Sequence, residues 1–503
     1  MKSLRSLLAG HSASERGQII MRRSSFRSSS LTTVGLVALV LCTTSVLASE
    51  QGKPNIVFFI TDDYGWQDTS ESMWTERTVL NERFRTPNME RLADQGVKFP
   101  NAYTACSVCS ASRISILTGQ NPVRHGTTFI TGQPGSNRRG MRSARQDNDG
   151  IQKEDVVLPT LLREVGYRTI CIGKAHFGAR GTFGADPLNL GFERKHYANH
   201  SGSPIGKSCG GSDEYHVNRD GEQVHLTEAL TLEAKAEISE AVKDKAPFFL
   251  YLSHYAVHTP IREDKRFSEN YPDLKGRERA YATLVEGADK SLGDILDHLD
   301  ELGIARNTLI VWTADNGGLW DNRPLKGLKN DAYEGGHRVP TMVSWGAQDA
   351  SLAYQKRMPL TPGRVDGHPF IHQDWMPTLL RLVGVKHPSP ELLDGYDVSD
   401  LLAGRNQDVR PGLFFWHEPN FWAHSGPESS IREGKWKLIY FYATRKWELY
   451  DLSEDIGERS DLSSAHSDNV RVLAKKLITH LKDNKAHYPT DIKSGEELPP
   501  QLP

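Results

Sequence analysis

The sequence predicts an α/β protein: a large, doubly wound, mostly parallel sheet flanked by helices, with a small C-terminal antiparallel sheet plus one helix. Four apolar runs carry the first part of that expectation: Asn55–Ile60, Tyr167–Ile172, Pro247–Leu252 and Thr308–Thr313. Runs apolar on both faces suit interior strands of a parallel sheet. Segments of helical spacing separate them, which is the alternation a parallel sheet requires. After about residue 400 the texture changes to short strand-like stretches and turns. The division expected is a leader over 1–48, a main domain over 49–400 and a C-terminal α+β subdomain with its tail over 401–503.

Taken in order, residues 1–48 carry a net charge of +5, then the apolar run Val34–Cys42 and the small-residue pattern Val46-Leu47-Ala48. A basic stretch, a short apolar core and a processing site read as an export signal, too short for a stable membrane anchor. Met21 would begin a signal of more usual length, so the true start is Met1 or Met21. Taking the +5 from the formal −2 of the whole chain leaves −7 for the rest. That acidic balance excludes a general nucleic-acid binder. Four cysteines remain outside the leader, Cys106, Cys109, Cys171 and Cys209, too few for a disulfide scaffold. No repeat of fixed period is present.

The first strand ends in Asp62-Asp63, just past its carboxyl end, where open α/β sheets place their ligands. Pro87–Gly96 gives a short helix, begun by proline and stopped by glycine. The stretch from Cys109 through Leu117 opens another, which sets Cys109 at a helix N-terminus favourable to anions. Phe129–Gly150 reads as a mobile surface loop rich in Gly, Arg, Ser and Asn. Leu158–Val165 is helical, and the second strand delivers Gly173-Lys174-Ala175-His176. Arg219-Asp220-Gly221 marks a hairpin turn and Leu226–Lys243 a helix. The third strand delivers His254 and His258. Ala280–Leu302 is a long amphipathic helix ended by Gly303, and the fourth strand delivers Asp315-Asn316. Leu413–His417, Lys435–Tyr442 and Lys446–Asp451 are the C-terminal strands, with a helix over about 469–482 and an extended tail after Tyr488.

Parallel strands share a carboxyl edge, so four polar clusters converge there. Singly, an Asp-Asp pair or an Asp-Asn-Gly is a common turn. Brought to one edge, Asp62, Asp63, Asp315 and Asn316 are all oxygen ligands, suited to a hard divalent ion such as Ca²⁺ or Mg²⁺.

Cys109-Ser110-Ala111-Ser112-Arg113, followed by Leu117-Thr118-Gly119, resembles the signature of the type I sulfatases. That family lies within the alkaline-phosphatase-like superfamily. The similarity runs from about Asn55 to Leu462. It implies that Cys109 is converted to formylglycine (3-oxoalanine) by a formylglycine-generating maturation enzyme. It implies one Ca²⁺ held by Asp62, Asp63, Asp315 and Asn316 together with the converted Cys109. Lys174 and His176 match a Gly-Lys-x-His element in which Ala175 replaces the usual Trp. His258 matches a Pro-His-x-Pro histidine with Val257 in place of the first Pro. Lys329 precedes Tyr333-Glu334-Gly335-Gly336 as the family's active-site lysine does, and Lys326 is the other candidate. The resemblance gives Arg113 and Lys174 the task of steadying the formylglycine hydrate, and His176 that of base. His258 and Lys329 would bind sulfate and protonate the departing oxygen. His125 and His254 read as structural.

One divalent ion against three carboxylates, plus Arg113, Lys174 and Lys329, leaves a pocket of formal charge +2 that attracts an anionic ester. Charge alone does not separate sulfate from phosphate. The expected activity is therefore that of an exported, periplasmic or extracellular sulfatase acting on a sulfated carbohydrate or aryl sulfate. The alternatives are a phosphodiesterase or phosphonate monoester hydrolase, or an inactive relative that binds sulfated glycans. Trp416–His424 is a candidate for stacking on sugar rings, with ordinary packing as its plain alternative.

Overall fold

The computed structural model describes residues 52–503 except 134, 406–407 and 423–425, so the expected leader lies outside the described residues. Residues 53–503 form one compact unit.

Its centre is the strand β1 (Asn55–Thr61), every residue of which is buried. Chain order then gives β2 (Arg168–Gly173), β3 (Phe248–Ser253), β4 (Thr308–Ala314) and β5 (Thr341–Trp345). β1 pairs in parallel with β3 on one side and β4 on the other, and β3 pairs in parallel with β2. Arg194–His196 extends the parallel edge beyond β2. On the far side of β4 the direction changes. β5 runs antiparallel to β4, then Val97–Lys98 and Arg364–Val365 finish an eight-stranded mixed sheet. The four expected strands are the four interior parallel ones. The antiparallel β5 carries no polar cluster and so gives no functional signal in the sequence.

Helices cover both faces. Phe58 and Phe59 point to opposite sides of β1 because side chains alternate along a strand. Phe58 meets Trp375 edge-on, at the start of the helix Trp375–Val383. Phe59 packs on His254, whose Nε2 shares a 2.9 Å hydrogen bond with Ser291 in the helix Gly276–Glu301. The sheet is therefore the middle layer of three, and its apolar runs are continuous because neither face meets water.

The helix here named α1 (Cys109–Thr118) is buried along its whole length and closed by Gly119 at φ 68°. Val108 precedes it without a capping side chain, which leaves the first amides unclaimed by a cap.

The C-terminal sheet is a four-stranded antiparallel meander: β6 (Leu413–Glu418), β7 (Glu428–Glu433), β8 (Trp436–Phe441) and β9 (Lys446–Asp451). Helix α2 (Ser467–Asp483) lays Val470, Leu473, Leu477 and Leu481 over Ile431, Leu438 and Leu449. That is helical spacing meeting one face of a pleat. β7, Glu-Ser-Ser-Ile-Arg-Glu, is a strand the sequence did not suggest; Glu428 accepts the Ala332 amide, Ser429 bonds His417 and Arg432 bonds Tyr103, which accounts for the burial of these three.

Two other expectations change. The Phe129–Gly150 loop contains a hairpin, Asn137–Arg138 with Met141–Arg142, and the tail adds Thr490–Asp491 as a third strand. Met141 is buried by this pairing, which anchors the loop. The hairpin turn at Asp220-Gly221 forms as expected, both residues at positive φ, between His216–Arg219 and Glu222–His225. Cys106, Cys109, Cys171 and Cys209 are all free thiols. Among the described residues no helix is long and apolar enough to cross a membrane.

Candidate active site

The carboxyl edge of β1, β2, β3 and β4 converges on the N-terminus of α1. Asp62 and Asp63 follow β1, and the chain turns there through a left-handed Asp63, φ 57°. His176, just past β2, adopts φ 56°. Non-glycine residues in this region carry strain, which the surrounding contacts must hold in place.

The charged groups interlock. Lys174 Nζ lies 2.8 and 2.7 Å from the two oxygens of Asp62. Arg113, one turn into α1, donates from Nε to Asp315 Oδ2 at 2.8 Å and from Nη1 to the Lys174 carbonyl at 2.7 Å. It also donates to Ser253 Oγ at the end of β3. Lys329 Nζ stands 2.6 Å from Asp63 Oδ1 and 3.4 Å from Cys109 Sγ. Asn316 donates to Asp63 Oδ1 at 2.9 Å, and the Asp63 amide donates to Asp315 Oδ1 at 3.1 Å. His258 Nε2 approaches Asp63 Oδ2 to 3.8 Å. All ten residues singled out in the sequence thus meet in one place. Lys326 does not: its ammonium sits 3.9 Å over the ring of Tyr333 and bonds the Glu458 carbonyl at 3.2 Å.

Electrostatics follow from burial. Burial alone would raise the Cys109 thiol, but Lys174, Lys329 and hydrogen bonds from His176 and His258 hold it well below the usual thiol range. Burial also opposes charge on Lys329, yet Asp63 and its neighbours keep its ammonium firmly protonated. Asp63 and Asp315 are held low against their burial, chiefly by Lys329 and Arg113 respectively. Asp62 is pushed up, by burial and by the adjoining Asp315 and Asp63, in spite of Lys174. Burial brings His176 down to about 4, so its imidazole is neutral near pH 7.

Apart from Cys109, the donor set at this edge is one of hard oxygens. Asp62, Cys109 and Asp315 offer ligand atoms within 4.8 Å of one another. Asp63 Oδ2 and Asn316 Oδ1 are buried oxygens without a hydrogen-bond partner among the described residues. Unsatisfied buried acceptors beside three carboxylates fit a hard cation bound by oxygen.

Several supporting residues escaped sequence reasoning. Ser112 Oγ donates to the Asp315 carbonyl at 2.6 Å, and Thr104 Oγ1 lies 2.7 Å from the same oxygen. From β6, Glu418 accepts the Ser107 amide at 2.6 Å and His337 Nε2 at 3.0 Å. From β7, Glu428 accepts the Ala332 amide at 2.8 Å. Glu458 accepts the Glu334 amide at 2.7 Å, and the Glu334 side chain is itself held by Lys437 of β8 at 2.8 Å. The C-terminal sheet therefore grips both loops that bring Cys109 and Lys329 to the site. The segment expected to stack on sugars is largely core. Trp416 and Phe421 are buried, and Trp416 lies on the His337 ring at 4.5 Å. Trp422 is half-buried and meets Phe129 edge-on, and His424 lies outside the described residues.

The chain is similar to known proteins over most of its length. The sequence model of the sulfatase family matches residues 54–385. The model described as N-sulphoglucosamine sulphohydrolase, C-terminal, matches residues 329–487. Mouse N-acetylgalactosamine-6-sulfatase is 28% identical over 493 residues, spanning 91% of this chain and 86% of its own length. A sulfatase of Formosa agariphila is 28% identical, spanning 92% of this chain and 95% of its own. The crystal structure of Ps i-CgsB in complex with k-i-k-neocarrahexaose superposes with a TM-score of 0.69 at 27% identity, covering 86% of this chain and 94% of that one. With the family model covering well over half of its residues, the chain belongs to the sulfatases, a family of sulfuric ester hydrolases.

Proposed function

We propose that the protein hydrolyses sulfate monoesters of a sulfated carbohydrate, with the side chain at position 109 as nucleophile after its conversion to formylglycine. The observation that carries this reading is the placement of Cys109. It begins a buried helix, within reach of Lys329 and beside a cluster of oxygen ligands. Relatives named for sulfated sugars, such as N-acetylgalactosamine-6-sulfatase, support the substrate class.

Asp62, Asp63, Asp315 and Asn316, with position 109, would hold one Ca²⁺, which supplies Lewis-acid attraction for the ester oxygens. A hydrated aldehyde at position 109 supplies two hydroxyls, one to attack sulfur and one whose loss of a proton releases sulfate. The remaining tasks fall to side chains. Lys174 pairs with Asp62 and Arg113 with Asp315, and their positive charge near position 109 favours an oxyanion there. His176, neutral near pH 7, can accept the proton that the release step sets free. Lys329 and His258 also reach Cys109 and suit binding the sulfate and protonating the departing oxygen.

Maturation requires a formylglycine-generating enzyme as partner, and residues 1–48 are proposed to direct export to the periplasm or beyond the cell. The test is hydrolysis of 4-nitrophenyl sulfate by protein co-produced with that enzyme, beside an aryl phosphate diester. Preference for the sulfate, lost in Cys109→Ala, is the expected result. Preference for the diester would replace this reading with phosphodiester hydrolysis, and no turnover of either would leave a glycan-binding relative.

A further inference from the structure

A cleft of about 430 Å³ lies beside the nucleophile's loop, walled by Phe129, Gly132, Gln133 and Gly135, by residues 144–149 and by Asn420. Its size falls within that of small-molecule sites, but its chemistry differs from the usual apolar pocket. Its apolar side chains are Phe129 and Ala144; the amides of Gln133, Gln146, Asn148 and Asn420 dominate the rest. Asn420 is 6% exposed, and its Nδ2 has no hydrogen-bond partner among the described residues. A buried amide donor left unpaired is costly, and a ligand hydroxyl would satisfy it.

The walls are fixed. The Ala144 amide donates to the Pro419 carbonyl at 3.1 Å, and the Phe421 amide to Ser143 Oγ at 3.0 Å, one on each side of Asn420. The Phe129 amide donates to Gln146 Oε1 at 2.9 Å, joining the two loop walls. The cleft is also tied to the catalytic helix. Ser110, next to the nucleophile, accepts the Thr131 amide at 3.0 Å and donates to the Phe129 carbonyl at 3.3 Å. The cleft thus adjoins the helix that begins at the nucleophile.

Charge narrows the ligand. Arg145 stands against Asp147 and Asp149, a formal −1, in contrast with the cationic reaction centre. An acidic, amide-lined cleft disfavours a second sulfate or a uronate and suits the hydroxyls of an uncharged sugar. We propose that this cleft is a subsite for an uncharged pyranose ring adjoining the sulfated one, with the Asn420 amide donating to a ring hydroxyl. This rests on the sulfated-carbohydrate reading above, and it adds where the rest of the chain binds and by which residue.

The test compares wild type with Asn420→Ala and, because removal of a buried amide can disturb folding, with the exposed Gln133→Ala. Each is assayed on 4-nitrophenyl sulfate and on a sulfated neocarratetraose in which an uncharged sugar adjoins the sulfated one. Saturation-transfer NMR with the desulfated tetrasaccharide reads binding without turnover. Asn420→Ala should lower kcat/KM for the tetrasaccharide about fivefold to tenfold, through KM, and Gln133→Ala in the same direction. Aryl sulfate turnover should change by less than about twofold, and the saturation-transfer signal should weaken with Asn420→Ala. Tetrasaccharide and aryl sulfate affected alike, or an NMR signal absent from wild type or unchanged in both variants, would overturn the subsite. Wild type inert toward aryl sulfate, with the NMR signal present and sensitive to Asn420, would instead reject the sulfatase reading and keep the cleft as a sugar site.

Discussion

Replacing Glu418 with Ala tests how far the C-terminal sheet holds the reaction centre together. Glu418 is 7% exposed and accepts two donors, the Ser107 amide at 2.6 Å and His337 Nε2 at 3.0 Å. His337 is fully buried, and its Nδ1 has no partner, so the proton belongs on Nε2. Glu418→Ala strands both donors away from water at about 1–3 kcal/mol each, a loss of about 2–6 kcal/mol. Glu418→Gln keeps one carbonyl oxygen for one donor and should lose roughly half as much. Ser107 lies two residues before Cys109, and its carbonyl accepts the Asn330 amide at 3.1 Å, next to Lys329. The alanine variant should therefore also lower kcat for aryl sulfate, with KM less affected. Urea denaturation followed by circular dichroism gives the stability, and initial rates give kcat. A loss below about 1 kcal/mol for the alanine variant, or a larger loss for glutamine, would refute the clamp.

Four further outcomes follow from the structure. Lys329→Ala removes the cation 2.6 Å from Asp63 and should lower kcat/KM for aryl sulfate by at least about 100-fold while the folded far-ultraviolet spectrum persists. Chelation should lower the thermal midpoint, because Asp62, Asp63 and Asp315 are then buried around no cation; Ca²⁺ should restore it better than Zn²⁺, read by scanning fluorimetry. Gly202→Ala would set a methyl carbon 2.5 Å from His176 Cε1, so the ring must move and kcat should fall at least about tenfold with KM little changed. Asp289, which caps the Asn88 and Met89 amides, is raised by burial to about 7. Its folded form binds its proton more tightly than the unfolded chain does. That contribution to stability is complete below about pH 4 and is lost as pH rises to about 7. Asp289→Asn should therefore gain stability relative to wild type between pH 5 and pH 8, measured as urea midpoints; a constant difference would contradict the assignment.

The reaction centre was legible in the sequence because its parts sit at strand ends. A fully buried parallel strand admits no polar interruption, so Asp62, Lys174, His258 and Asp315 stand out where each apolar run stops. Proximity in space then needs only the rule that parallel strands share an edge. The choice between Lys326 and Lys329 was open because both sit in an irregular loop; cation–π contact with Tyr333 occupies the first. Glu418, Glu428 and Glu458 gave no signal, since a carboxylate that caps a distant amide looks in sequence like any solvated acid. The same reason hid β7, whose Ser429 and Arg432 are buried through His417 and Tyr103. Trp416 and Phe421 suggested a sugar platform by composition, but aromatic side chains more often fill cores, and these two do.

Mass spectrometry of the peptide bearing residue 109, from protein produced with the formylglycine-generating enzyme, addresses the nucleophile directly. The account predicts the mass of an aldehyde at that position, trapped by a hydrazide, in the same preparations that hydrolyse 4-nitrophenyl sulfate. An unmodified thiol at position 109 in a preparation with full sulfatase turnover would contradict it.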